Sequence, residues 1–274
     1  MSLLAATGVG VRLAGREVLR AVDFPVAGGE LTGIVGPNGA GKSTLARVLA
    51  GVLASTGAVA IDGVPLVSLR PAARARAIAY LPQGATLAWP LTVARLAGLG
   101  RLPHLGPMSR IGADDTAAID RAMDRADVAH LADRIATELS GGERARALLA
   151  RALAVEARVL IIDEPLAALD PGHALGVMEL LRAEARRGVA VVAVMHELTL
   201  AARFCDRLVL LHDGRVVADG VPEAVLDAAN LRSVYGVEAW RGEVETGDGA
   251  RERLIVPLSR VPIDATQADA CPQR

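Results

Sequence analysis

One stretch restricts this chain more than any other. Leu31-Thr32-Gly33-Ile34-Val35 leads into Gly36-Pro37-Asn38-Gly39-Ala40-Gly41-Lys42-Ser43-Thr44, and Leu45–Ala50 continues to Gly51. The apolar run predicts a buried strand, and the spacing after the glycine loop predicts a helix. Strand, loop and helix in that order belong to a parallel α/β fold, with an anion held at the helix N-terminus. The loop reads G-x-x-x-x-G-K-S, a P-loop that holds nucleotide phosphates. Gly39 and Gly41 allow positive φ, so consecutive N–H groups converge on phosphate oxygens. Lys42 brings a point charge to the β- and γ-phosphates, and Ser43 a hydroxyl for Mg²⁺. Lys42 is also the only lysine of the chain; every other side chain of that class is arginine. The wider planar fork of arginine does not fit the same cradle.

Two further segments carry chemistry. Val159-Leu160-Ile161-Ile162-Asp163-Glu164 is an apolar strand ending in two acids. Beside a P-loop, Asp163 is placed to orient Mg²⁺ through water, and Glu164 to act as general base on the attacking water. Without a P-loop upstream, such a pair reads as a solvated turn. In Leu139-Ser140-Gly141-Gly142-Glu143, Ser140 caps a helix that opens through two glycines, a second anion site. Paired glycines weaken a helix start unless something must approach closely.

Composition narrows the partners. A formal charge of −1 argues against a basic nucleic-acid binder, and six aromatics (Phe24, Tyr80, Trp89, Phe204, Tyr235, Trp240) are too few for a base-stacking platform. Cys205 and Cys271 lack metal-ligand spacing, and Cys205 reads as a small core residue. The runs Val159–Ile162 and Val189–Met195 are too short to span a bilayer, and residues 1–11 show no secretory pattern, so a soluble chain is expected.

Along the chain, Val9–Leu19 and Asp23–Val26 predict strands about a turn at Ala14-Gly15-Arg16, and Ala58–Ile61 with Val64–Leu66 a further short pair. Ile78–Leu81 is a strand stopped by Pro82. The segment from Ala88 to Thr137 is helical in pattern, with a helix cap at the acidic start of Asp114–Ala126 and helical character continuing over Val128–Asp133. Alternation then returns: helix Glu143–Val155, strand Val159–Ile162, helix Ala174–Arg187, strand Val189–Val194, helix Leu198–Cys205, strand Leu208–Leu211. Asp213-Gly214 predicts a hairpin into Val216–Ala218. Near-continuous apolar strands imply a parallel sheet covered on both faces. Beyond Tyr235, Arg241–Gly249 is polar, Leu254–Leu258 a short strand, and Pro262–Arg274 frayed.

The P-loop together with Leu139-Ser140-Gly141-Gly142 resembles the ATP-binding cassette (ABC) family, over about residues 3–235. The resemblance implies an α/β fold: a P-loop NTPase core with a mainly parallel sheet, an antiparallel β subdomain, and a helical subdomain at about 86–145. It would occupy residues 1–240, with 241–274 a short extension. Gly36 to Thr44, with Ser140, Gly141, Gly142 and Asp170, would bind ATP. Ser43, Gln83 and Asp163 would hold Mg²⁺, and Glu164, His196, Gln83 and Lys42 would carry catalysis. Gln83 resembles the Q-loop glutamine, His196 the switch histidine, and Ala168-Leu169-Asp170 the D-loop. The family pairs two cassettes head to tail, so that Ser140 and Gly142 of one close over ATP held by the other. Leu13 beside Arg12 stands where an adenine-stacking aromatic is usual, Glu197 replaces a common Asp, and Glu143-Arg144 departs from the common glutamine.

Trp89–Val93, Leu99-Gly100-Arg101-Leu102-Pro103-His104, Leu198–Arg203 and Tyr235-Gly236-Val237 resemble the ATPases of iron–siderophore, haem and vitamin B12 uptake. That implies a homodimer on the cytoplasmic face of the inner membrane, docked under two transmembrane permease subunits fed by a substrate-binding protein, with no nucleic acid involved. The ATPase of an exporter or of a transporter for another cargo, and a non-transport nucleotide switch, are the alternatives. His104 reads as a surface loop residue, not a metal ligand.

Overall fold

The computed structural model describes residues 2–85, 87–106, 108–166, 169–245, 249 and 251–261. The chain starts with the hairpin β1 (Ser2–Leu13) and β2 (Arg16–Ala27), then β3 (Leu31–Val35) and α1 (Lys42–Leu49). There follow β4 (Thr56–Ile61), β5 (Val64–Pro65), α2 (Pro71–Ala77), β6 (Ile78–Leu81), α3 (Val93–Gly98) and α4 (Ala113–Arg125). The second half runs α5 (Gly141–Leu153), β7 (Val159–Asp163), α6 (Pro171–Arg186), β8 (Ala190–Val194), α7 (Leu198–Phe204), β9 (Arg207–His212) and β10 (Arg215–Gly220). It ends with α8 (Pro222–Val225), α9 (Ala228–Tyr235), β11 (Val237–Glu245) and β12 (Arg251–Arg260).

The apolar runs β3, β7 and β8 are buried along their whole length. They sit inside a six-stranded sheet of order β10-β9-β3-β8-β7-β6, parallel except for the edge strand β10. An antiparallel sheet of order β2-β1-β4-β5 forms the β subdomain. Side chains alternate across a strand, so each strand feeds two cores. Leu160, Ile162, Val191, Ala193, Leu208 and Leu210 face α5, α6 and the helical segment. Val159, Ile161, Val192, Val194, Val209 and Leu211 face α1 and the antiparallel sheet. Asp163 is in phase with Val159 and Ile161, which turns its carboxylate toward α1.

The helical segment is clipped to the core by charge. Arg101 is buried, pairs with Asp115 (2.9 Å) and Glu156 (3.1 Å), and donates to the Ala154 carbonyl at 2.9 Å. His104 is half-buried rather than a surface loop residue, its Nε2 2.9 Å from the Val155 carbonyl. Both residues therefore satisfy carbonyls just past the C-terminus of α5, where backbone acceptors would otherwise be unpaired. Glu184, fully buried, ties α6 to α4 through Arg125 (3.1 Å) and to its own helix end through Arg187 (2.6 Å).

Several boundaries differ from the sequence expectation, each with a physical reason. β1 begins at Ser2, not Val9, because register shifts around Gly8 and Gly10 break its alternation. α2 has no buried residue, hence no apolar stripe to mark it. The helical character expected over Val128–Asp133 is limited to a single 3₁₀ turn, Ala129–Leu131. The polar segment after Arg241 is in strand as far as Glu245, paired with β12, so residue 240 lies in mid-strand. That hairpin docks on α7: Ile255 is buried, Thr199 Oγ1 donates to its carbonyl at 2.5 Å, and Arg203 pairs with Glu252 at 3.2 Å. Among the described residues, no helix is long and apolar enough to cross a membrane.

Candidate active site

The loop between β3 and α1 has the backbone a phosphate cradle needs. Gly36 (φ 149°), Gly39 (φ 82°) and Gly41 (φ 103°) take conformations that L side chains avoid. At Gly36 a Cβ would also lie 2.2 Å from the Leu211 carbonyl oxygen, so no other residue fits. The β9–β10 turn braces the loop, Gly214 N–H donating to the Ala40 carbonyl at 3.1 Å. Gly41 caps α1 with no side chain over the helix amides. Asn38 and Gly39 are exposed at the loop tip; Pro37, Ser43 and Thr44 are half-buried. Lys42 is 5% exposed, and its ammonium donates to the carbonyls of Gly36 (2.8 Å) and Pro37 (3.0 Å). Burial lowers its pKa, with Glu164 and Asp163 pulling the other way.

Across the sheet edge, Ser43 Oγ donates to Asp163 Oδ1 at 2.9 Å. Asp163 Oδ2 is buried with no close hydrogen bond, the Tyr80 hydroxyl facing the same carboxyl, and burial raises the carboxyl pKa. The buried Tyr80 hydroxyl lies on the same side of the sheet. A buried carboxylate oxygen left unpaired beside a serine hydroxyl is the donor set of a hard, hydrated cation. Among the described residues, no group of three or more His, Cys, Asp or Glu could hold a metal. The Ser43 hydroxyl and the Asp163 carboxylate fit Mg²⁺ as part of its oxygen donor set.

Glu164 has φ 55°, left-handed for a side chain that prefers other conformations, and its N–H donates to the Val194 carbonyl at 3.2 Å. This twist turns its carboxylate off the strand end. Oε1 is 2.5 Å from His196 Nε2, and Oε2 accepts from Gln83 Nε2. Residues 83, 164 and 196, remote in sequence, therefore form one cluster at the carboxyl ends of β6, β7 and β8.

Ser140 is the N-cap of α5. Its Oγ accepts from Glu143 N–H at 3.4 Å, and Glu143 Oε2 accepts from Ser140 N–H at 2.9 Å. That bond holds the Glu143 carboxyl below its usual pKa. Gly142 is buried, and a Cβ there would meet the His173 ring at 2.4 Å. Asp170 caps α6, accepting from His173 N–H at 3.0 Å. Of the expected D-loop, Leu169 and Asp170 are described, while Ala168 lies outside the described residues. Leu13 is 41% exposed at the end of β1. Crucially, α1 and α5 pack on opposite faces of the central sheet. Lys42 and Ser140 of one chain thus head helices separated by that sheet.

Sequence reasoning passed over Tyr80 and His173. Tyr80 is one of six aromatics and stands three residues before Gln83; His173 is one of five histidines and stands three after Asp170. That spacing was the available signal.

The model of the ABC transporter family matches residues 19–167, more than half of the chain. A hemin import ATP-binding protein of Nocardia farcinica is 48% identical over 221 residues, covering 80% of this chain and 76% of that protein. A cobalamin import ATP-binding protein of Halobacterium salinarum is 47% identical over 258 residues, 93% of this chain, which spans 63% of that relative's length. In fold, the chain is similar to one from a transporter described as of metal-chelate type, in an inward-facing conformation. The TM-score is 0.82 at 24% identity, covering 94% of this chain and 98% of the other. A bacterial ABC transporter cassette solved as a dimer gives 0.70 at 27% identity, covering 80% and 99%. With the P-loop, the strand-end acids and the Ser140 helix cap all in place on this fold, the chain belongs to the ABC transporter family as an ATP-binding domain.

Proposed function

We propose that this protein is the ATP-hydrolysing subunit of an importer for a metal chelate: haem, cobalamin or an iron–siderophore. The observation that carries the reading is Glu164, turned out by its left-handed backbone and held between His196 and Gln83 beside the Ser43–Asp163 pair. The N-terminal amides of α1 and the Lys42 ammonium bind the phosphates. Ser43, Gln83 and Asp163 would hold Mg²⁺, which when bound would supply positive charge against the phosphates. Glu164 orients and deprotonates the attacking water, and His196 stabilises charge on the γ-phosphoryl group while fixing Oε1.

Two copies pair head to tail, and Ser140, Gly141 and Gly142 of one complete the ATP site of the other, with Asp170 at the junction. The separation of α1 and α5 by the central sheet supports this pairing, as does the dimeric cassette among its structural relatives. The pair sits on the cytoplasmic face of the membrane beneath two permease subunits, which receive cargo from a substrate-binding protein. Its relatives in hemin and cobalamin import support this placement. The test is Glu164→Gln: ATP binding and dimerisation persist, and hydrolysis falls at least ~10²-fold. Near-normal turnover would reject the assignment, and failure to co-purify with a many-span permease would reject the transport role.

A further inference from the structure

The ring of His173, on the first turn of α6, occupies the space that a Cβ at Gly142 would need, the nearest ring atoms being 2.4, 2.5 and 2.7 Å away. That ring is itself held, Nδ1 lying 2.5 Å from Asp170 Oδ2 while the His173 N–H donates to Asp170 Oδ1 at 3.0 Å. One imidazole therefore bridges the cap of α6 and the second residue of α5. We infer that His173 is a positioning residue that couples the Ser140-Gly141-Gly142 turn to Asp170 within one chain, and that Gly142 is side-chain-free to admit its ring. Movement of α6 at Asp170 is thereby passed to the helix start that Ser140 caps, and the two present themselves to a second copy as a unit. Histidine suits this role because its flat ring fits against a bare Cα while Nδ1 keeps its bond to the carboxylate. The kinetic half of this inference rests on the ATP-hydrolysis reading above; the packing half does not.

A double-mutant cycle separates the two halves, using the full chain with Mg²⁺ and ATP as the probe. Gly142→Ala, His173→Ala and the double variant are compared by thermal unfolding without nucleotide and by kcat and KM for hydrolysis. Gly142→Ala is expected to lower Tm by several degrees in the wild-type background and by clearly less alongside His173→Ala, since removing the ring removes the clash. His173→Ala alone is expected to lower kcat about 3- to 10-fold, with affinity for a slowly hydrolysed ATP analogue at the P-loop unchanged. His173→Asn, whose amide nitrogen reaches the place of Nδ1, is expected to restore part of kcat. Strict additivity of the two Tm losses would overturn the packing claim. Unchanged kcat in His173→Ala, or equal loss of kcat and analogue affinity, would overturn the coupling claim. A wild-type chain that does not hydrolyse ATP would defeat the proposed function, and the unfolding cycle would still decide the packing.

Discussion

At the scale of single residues, the site is a set of side chains held in conditions they do not prefer. Asp163 is 2% exposed, with one oxygen bonded to Ser43 and the other unpaired. Burial raises its carboxyl pKa above the ordinary 3.8, so the folded chain binds this proton more tightly than the unfolded chain does. The stability contributed by the neutral form is complete below 3.8 and is lost as pH rises through the raised folded value. Asp163→Asn removes that loss. Thermal melts without nucleotide are expected to show a higher Tm for the variant at neutral pH and a flatter pH dependence above 3.8. Mg²⁺-dependent hydrolysis is expected to collapse in the same variant. A lower Tm across that range would mean that Asp163 serves stability more than chemistry.

At the scale of elements, the segment between β6 and α5 matters through its attachment. Arg101 and His104 bond carbonyls beyond the last turn of α5, and Gly100 passes so close that a Cβ would lie 2.2 Å from the Arg151 carbonyl oxygen. A positive side chain at a helix C-terminus also meets the favourable end of the helix dipole. The run Leu99–His104 is therefore a clasp between the helical segment and the helix that carries Ser140. Arg101→Ala leaves Asp115 and Glu156 without their shared cation and the Ala154 carbonyl without its donor. Its expected cost is about 2–3 kcal/mol, below a fully buried pair because Glu156 is partly solvated. Denaturant unfolding at equilibrium measures it, and a loss under ~0.5 kcal/mol would place the clasp at the surface level of importance.

At the scale of the whole molecule, the central sheet stands between the Lys42 helix and the Ser140 helix. If two chains share each site, Lys42→Ala and Ser140→Arg are each inactive alone, yet a mixture of the two can assemble one intact site per mixed dimer. Random pairing at equal amounts predicts recovery of about a quarter of wild-type turnover. No recovery, with mixed dimers demonstrated by cross-linking, would argue that both halves of a site come from one chain.

Much of this was readable in the linear order of residues. β3, the glycine loop and α1 follow from an apolar run, a spacing of glycines and one lysine, because local sterics and backbone dipoles alone decide them. The acids ending β7 and the cap at Ser140 are equally local. What sequence could not supply was relation across distance. That Gln83, Glu164 and His196 meet depends on which strands are neighbours in the sheet, and that Gly142 answers to His173 depends on how α5 lies on α6. α2, with no apolar face, and β11, running through polar residues, were hidden because contacts far along the chain decide them. Local chemistry thus determined what each segment can hold; only packing decided which segments hold it together, since side-chain contact is set by the sheet order and not by position in the chain.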